Sequence, residues 1–271
     1  IQKRRVAAYA RVSTDSDEQF TSYEAQIDYY TNYIKKRDDW EFVKVFAENH
    51  SRLGRMWECP DFFELDGKYV LLGSSQDMLP KGLEYQNGNG TFYFTGTYDE
   101  ETETFFEEAD HTVDYGIDFY APTTILTPDG RRVMIGWMQN WDTTGGCPAG
   151  AKWFGQMTTA RELTVRDGRL IQNPVRELEA HRANPVVYRS VAVHEEMSLE
   201  RISGRVLDMT ITLKAADDKG FGMFRMKFAG DEKYHSSLTY RPEESSLRMS
   251  RTHAGFVRDC VHERECMVKA Q

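Results

Sequence analysis

The chain has 271 residues, a formal net charge of −9 and an isoelectric point of about 5.4. That length can bury a substantial core, in one large domain or two modest ones. The acidic balance argues against non-specific binding of nucleic acid or of an anionic membrane by the chain as a whole, and no run of eighteen apolar residues offers a membrane-spanning helix.

The chain opens on Ile1 rather than Met, which suggests a trimmed or partial chain. Val6-Ala7-Ala8-Tyr9-Ala10 is too short for a signal-peptide core. Arg5 to Ala10 reads as a short strand, followed by the polar loop Arg11-Val12-Ser13-Thr14-Asp15. A helix is predicted from near Thr21 or Ser22, with Glu24 or Gln26 available for an N-terminal capping interaction. Tyr23, Ile27, Tyr30 and Ile34 fall on one face of it. Trp40 to Ala47 alternates like a second strand, so the opening is β-α-β.

Beyond residue 60 the pattern changes to short alternating strands separated by turn signals. Strands are predicted over 68–72, 91–97, 124–126, 133–137, 154–157, 162–165 and 170–172. Asp66-Gly67, Asn87-Gly88-Asn89-Gly90, Pro128-Asp129-Gly130 and Asp167-Gly168 mark turns. Regular hairpins of this kind suit a β-propeller or a β-sandwich. A short helix is expected over 177–182. A second strand series, over 187–194, 206–213, 222–228, 235–240, 247–251 and 256–261, suits a separate sandwich.

The four cysteines form no Cys-x-x-Cys, and the seven histidines are scattered without metal-type spacing. Reduced thiols and a cytoplasmic location are expected, with no metal and no cofactor. The most informative stretch is Met56-Trp57-Glu58-Cys59-Pro60-Asp61-Phe62-Phe63. A glutamate held against an indole in a partly dry site has its charged form disfavoured, which suits a proton donor. The same pattern also fits a surface Glu at a strand end.

Trp57-Glu58-Cys59-Pro60-Asp61-Phe62-Phe63 resembles the acid/base motif of glycoside hydrolase family 32, the invertases, sucrose-6-phosphate hydrolases and fructanases. The resemblance continues through Leu71 to Met78, Tyr115-Gly116-Ile117-Asp118-Phe119-Tyr120-Ala121-Pro122, Ile135-Gly136-Trp137-Met138, Trp153 to Met157 and Arg161-Glu162-Leu163. It implies a mainly β chain: an incomplete five-bladed β-propeller over 46–183, then a truncated β-sandwich over 184–271. It implies retaining hydrolysis of terminal β-fructofuranosides, with a small carbohydrate as partner. Glu58 matches the acid/base, and Asp118, Tyr120 and Trp137 match positions near the fructose site. Core packing between blades is the alternative reading for Tyr120 and Trp137. The family's nucleophile motif, of Asn-Asp-Pro-Asn type, and its Arg-Asp-Pro motif do not occur in these residues. Thr123 stands where the family often has Gln, and Ala160 where Pro is common. Impaired catalysis by this chain is therefore expected.

Residues 1–45 resemble a different family. Tyr9-Ala10-Arg11-Val12-Ser13-Thr14, continuing through Tyr23-Glu24-Ala25-Gln26, is similar to the opening of serine recombinases. That likeness implies Ser13 as a nucleophile toward a DNA phosphodiester and Arg11 as its phosphate ligand. DNA is a partner only under that alternative. A chimeric fragment without catalysis is the third possibility.

Overall fold

The computed structural model describes residues 3–6, 17–42, 52–146, 150–255 and 260–268. The chain divides into two compact units, Ile1–Asn173 and Pro174–Gln271. Fifteen elements matter here, one helix and fourteen strands, and all but one of the sheets are antiparallel meanders.

The first unit opens with β1 (Arg4–Val6), α1 (Asp17–Lys35) and β2 (Trp40–Phe42), and β1 pairs with β2 in parallel. The β-α-β order is the expected one, but α1 starts at Asp17. Glu24 and Gln26 therefore lie inside the helix and are not where its start is capped. Ile34 is buried, whereas Tyr30 from the same predicted stripe is exposed. At the C-terminal end the Arg37 guanidinium lies 4.5 Å from the Trp40 ring centre.

Two four-stranded sheets follow. The first is β3 (Met56–Leu65), β4 (Lys68–Gln76), β5 (Gly90–Asp99) and β6 (Thr104–Thr112), in that order. The second is β7 (Tyr120–Leu126), β8 (Arg132–Trp137), β9 (Arg161–Arg166) and β10 (Arg169–Pro174), again in chain order. Asp66-Gly67 and Asp167-Gly168 turn the β3–β4 and β9–β10 hairpins, and all four residues have positive φ. That is what a type I′ turn requires, and it is why Asp-Gly is placed there.

The sheets pack on one core. Val70, Leu72 and Tyr93 from the first meet Met134, Leu163 and Leu170 from the second, with Phe119 between them. Leu72 and Met134 are completely buried. Polar groups join the same interface: Thr95 donates to the Gly168 carbonyl at 2.9 Å, and Arg161 pairs with Asp114 at 2.8 Å. The opposite face of the first sheet carries a second cluster, built from Leu71, Phe92, Phe94 and Trp57.

Each sheet's first strand is interrupted in the same way. Register shifts between Glu58 and Asp61 in β3, where Cys59 has φ 50 and Pro60 follows. It shifts again between Tyr120 and Thr123 in β7, where Ala121 has φ 47 and Pro122 follows. In each case three steps on the bulged strand match two on its partner, so one extra residue is inserted. Proline has no N–H for the ladder and sits where none is needed.

Several predicted strands are corrected. Residues 154–157 form only an isolated bridge, Met157 to Trp137. Gly155 breaks the run with φ +95, outside the extended region. β3 and β6 form where no strand was predicted. β6 (TFFEEADHT) has charged residues at its centre and so lacks the alternation that marks a strand.

The second unit is a single sheet of β11 (Phe224–Phe228), β12 (Ser236–Arg241), β13 (Ser246–Ser250) and β14 (Glu263–Met267), preceded by a 3₁₀ turn over Arg176–His181. The strands expected over 187–194 and 206–213 do not form. Alternation supplies one face of a strand, but a ladder also needs a neighbour for its N–H and C=O groups. Val206 is 95% exposed. The strand predicted over 256–261 lies partly outside the described residues, and β14 forms just after it.

Candidate active site

Glu58 lies on β3 immediately before the bulge. Its register partner on β4 is Ser74, and Trp57 is paired with Ser75. Successive strand residues face opposite ways, so Glu58 shares a side with Leu72 and Ser74, toward the second sheet. Trp57 points the other way. Its ring lies 4.6 Å from Phe92, and its indole N–H donates to the Leu53 carbonyl at 3.0 Å. The expected packing of the Glu58 carboxylate against the Trp57 indole is therefore corrected: strand alternation separates the two side chains.

What Glu58 does meet is a pair of donors. Gln76 Nε2 donates to Glu58 Oε2 at 3.0 Å, and the Tyr120 hydroxyl donates to the same oxygen at 2.9 Å. Gln76 is two residues beyond Ser74 on β4, hence on the same side of the sheet. Tyr120 is the first residue of β7 and is 1% exposed. Burial, and then the hydrogen bond to and charge of Glu58, push the Tyr120 phenol well above its ordinary value. The phenol therefore stays protonated and remains a donor to the carboxylate. Ser74 Oγ accepts a 3.0 Å bond from the Ala121 N–H, tying β4 to the β7 bulge.

The remaining expected site residues gather around Tyr120. Trp137 is its register partner on β8. Trp141 stands edge-on to both, with ring centres 5.5 Å from Trp137 and 6.0 Å from Tyr120. Trp141 is half exposed, whereas Trp137 is partly buried. Asp118 accepts a 2.9 Å bond from Thr143 Oγ1, and Asn140 Nδ2 donates to the neighbouring Ile117 carbonyl at 2.6 Å. The turn after β8 thus holds the segment that leads into Tyr120. Opposite Trp137, Gly155 leaves no room for a side chain. A Cβ there would stand 2.7 Å from Gln139 Oε1 and 3.3 Å from Trp137 Nε1.

The structure therefore brings Glu58, Tyr120 and Trp137 into one neighbourhood and links Asp118 to it through the 140–143 turn. Ser13 and Arg11 lie outside the described residues. Sequence reasoning missed Gln76, Trp141 and Thr143. Gln76 could have been found by counting two residues from the position opposite Glu58, had β3 been recognised as a strand. No group of three or more metal-ligating side chains occurs among the described residues.

A carboxylate served by two donors, beside three aromatic rings on paired antiparallel sheets, is the kind of site in which a glycoside hydrolase performs acid/base chemistry. The chain belongs to the glycosyl hydrolases of family 32: the model of that family's N-terminal domain matches residues 17–174. The match begins with α1 and covers both four-stranded sheets of the first unit.

Sucrose-6-phosphate hydrolase of Staphylococcus xylosus is 31% identical over 217 residues, 80% of this chain and 43% of that protein. Raffinose invertase of Escherichia coli is 36% identical over 156 residues, 58% of this chain and 33% of that protein. The chain thus spans less than half the length of these relatives. The structure of a Bombyx mori GH32 beta-fructofuranosidase superposes with a TM-score of 0.63 at 27% identity, over 84% of this chain and 45% of that one. An exo-inulinase from Aspergillus awamori shares the fold, with a TM-score of 0.58 at 20% identity, over 85% of this chain and 48% of the other.

Proposed function

We propose that these residues carry the acid/base part of a retaining β-fructofuranosidase acting on sucrose, sucrose 6-phosphate or fructans. The observation that carries this reading is the double donation to Glu58 Oε2 from Gln76 and Tyr120. When Glu58 gives its proton to the departing oxygen, negative charge appears on a carboxylate that already faces two donors. In the second step the same carboxylate takes a proton from the attacking water. Asp118 and Trp137 serve the fructosyl unit, the indole as an apolar platform, and Tyr120 acts through Glu58.

The two four-stranded sheets of the first unit correspond to blades of an incomplete five-bladed propeller over 46–183, and the single sheet β11–β14 to one layer of a truncated sandwich over 184–271. The partner is a small carbohydrate, the location is cytoplasmic, and no cofactor is needed. The motifs that the family resemblance assigns to the nucleophile and to the transition-state aspartate do not occur in these residues. Glu58 then contributes only the general-acid share, about 10²–10⁴-fold.

Fructose release from sucrose, sucrose 6-phosphate and inulin tests this. A slow rate that Glu58→Gln lowers further is expected. Turnover on the order of 10 s⁻¹, abolished by Glu58→Gln, would show that the impairment is wrongly inferred. A rate indifferent to Glu58→Gln would remove Glu58 from the chemistry.

A second reading rests on the β-α-β opening, which is the arrangement expected of a serine-recombinase fragment fused at about residue 45. Under it Ser13 attacks a DNA phosphodiester with Arg11 on the phosphate. A covalent DNA adduct absent from Ser13→Ala supports this reading. Equal signal in both proteins ends it.

A further inference from the structure

We propose that Asp61 is a positioning residue that holds Glu58 against Tyr120 by tying together the two bulged strands. The inference deepens the proposed acid/base role of Glu58 and rests on it for its functional meaning. Its structural content is independent of that role.

The spacing of Glu58 and Asp61 is three, which on a regular strand would put them on opposite sides. The bulge changes that. Glu58 is opposite Ser74 and Asp61 is opposite Leu72, two steps apart on β4. The extra residue therefore returns Asp61 to the side that Glu58 occupies. There it accepts two bonds on one oxygen, from the Thr124 N–H at 2.9 Å and from Thr124 Oγ1 at 2.6 Å. Thr124 sits just past the β7 bulge, as Asp61 sits just past the β3 bulge. The link between them thus spans the two sheets directly beyond the irregular residues that carry Glu58 and Tyr120.

The geometry of the link is itself supported. Arg132 Nη1 donates to Thr124 Oγ1 at 3.3 Å, so the hydroxyl accepts from Arg132 while it donates to Asp61. The Arg132 guanidinium is fixed over the Phe63 ring, 4.5 Å from its centre. Hydrogen bonds to an ionised acceptor are short and strong, and those on Asp61 have no equivalent in the β-ladders, because β3 and β7 belong to different sheets. On the other flank of the bulges the Ala121 N–H donates to Ser74 Oγ, a neutral acceptor. Bulges bend and loosen a strand, and a proton donor needs its partners held within about 0.5 Å. Asp61 supplies that constraint without touching the reacting atoms.

The test reads the Tyr120 hydroxyl proton by ¹H NMR in the whole chain, assigned by its disappearance in Tyr120→Phe. The Tyr85 hydroxyl, bonded to Asp110, serves as the internal control. Asp61→Ala should speed solvent exchange of the Tyr120 hydroxyl at least tenfold and leave the Tyr85 signal within twofold. Asp61→Asn, which keeps an acceptor oxygen, should restore most of the protection.

Should Asp61→Ala fail to fold, Thr124→Val against Thr124→Ser decides. Val loses the hydroxyl bond and should weaken protection, whereas Ser keeps it. Tyr120 exchange within twofold of the parent in Asp61→Ala, or in Thr124→Val, overturns the proposal. So does equal loosening of Tyr120 and Tyr85, which would mark Asp61 as a general stabiliser. None of these outcomes depends on sugar hydrolysis, so failure here is distinct from failure of the acid/base reading, which the Glu58→Gln assay measures.

Discussion

Tyr120 donates to Glu58 across 62 positions of sequence, from the first strand of one sheet to the first strand of the next. The contact places the carboxylate's charge beside the phenol, which gives a direct test. Tyr120 is held above the ordinary phenol value of 10.0 first by burial and then by its bond to, and the charge of, the carboxylate. Glu58→Gln leaves the burial and removes the charge. The Tyr120 ¹³Cζ titration should therefore move down while staying above 10.0. An unmoved titration would mean that the carboxylate does not act on the phenol.

Glu84 clamps the loop after β4 onto the segment leading to Asp118. It accepts bonds from the Thr112 N–H at 2.7 Å and from the Tyr115 hydroxyl, and His111 Nδ1 lies 3.4 Å away. Burial pushes the Glu84 carboxyl up, but the Tyr115 and Thr112 bonds outweigh it and hold the group below its ordinary value of 4.5. A depressed carboxyl contributes stability that is complete above the unfolded value and is lost as pH falls through the folded one. Glu84→Gln should therefore cost about 1–3 kcal/mol at pH 7. In urea melts the difference from the parent should shrink as the pH drops below 4.5. A constant difference down to pH 3 would contradict the assignment.

Met134 is completely buried between the two sheets. Met134→Ala should cost about 2–5 kcal/mol, since surrounding side chains only partly close such a hole. Because one core serves both sheets, they should lose protection together in hydrogen exchange. Loss confined to β7–β10 would indicate two separately stable layers.

Gly155→Ala introduces a methyl group where Gln139 and Trp137 leave no space, at a φ of +95. It should cost about 1 kcal/mol or more. It should also change the near-ultraviolet circular dichroism of the Trp137–Trp141 pair while leaving the far-ultraviolet spectrum intact. An unchanged near-ultraviolet spectrum would show that the indole has room to move.

The sequence disclosed the hairpins best where a turn demanded a particular residue. Asp66-Gly67 and Asp167-Gly168 each mark two positive φ angles in a row, and few other dipeptides do so. Glu58, Tyr120 and Trp137 are singled out by motif likeness alone, and the structure brings them into one neighbourhood. The contact between Glu58 and Tyr120 was not legible, because no local pattern encodes which way two sheets face. The neighbour assigned to Glu58 was Trp57, adjacent in sequence but pointed away by the pleat. β3 was invisible as a strand because Pro60 and the Cys59 kink mask its alternation. The segments at 187–194 and 206–213 show the converse failure. Their alternation is plain, yet pairing depends on partners that local sequence does not specify.

Trp57 and Glu58 are consecutive residues that look into different worlds, one into an apolar cluster and one onto the polar groups of Gln76 and Tyr120. A saturation library across these two codons should sort into two phenotypes. Variants at 57 would be recovered as insoluble or low-yield protein. Those at 58 would be recovered in normal yield. One six-nucleotide window of the gene thus separates a position that serves the core from one that faces the polar groups of the neighbouring sheet.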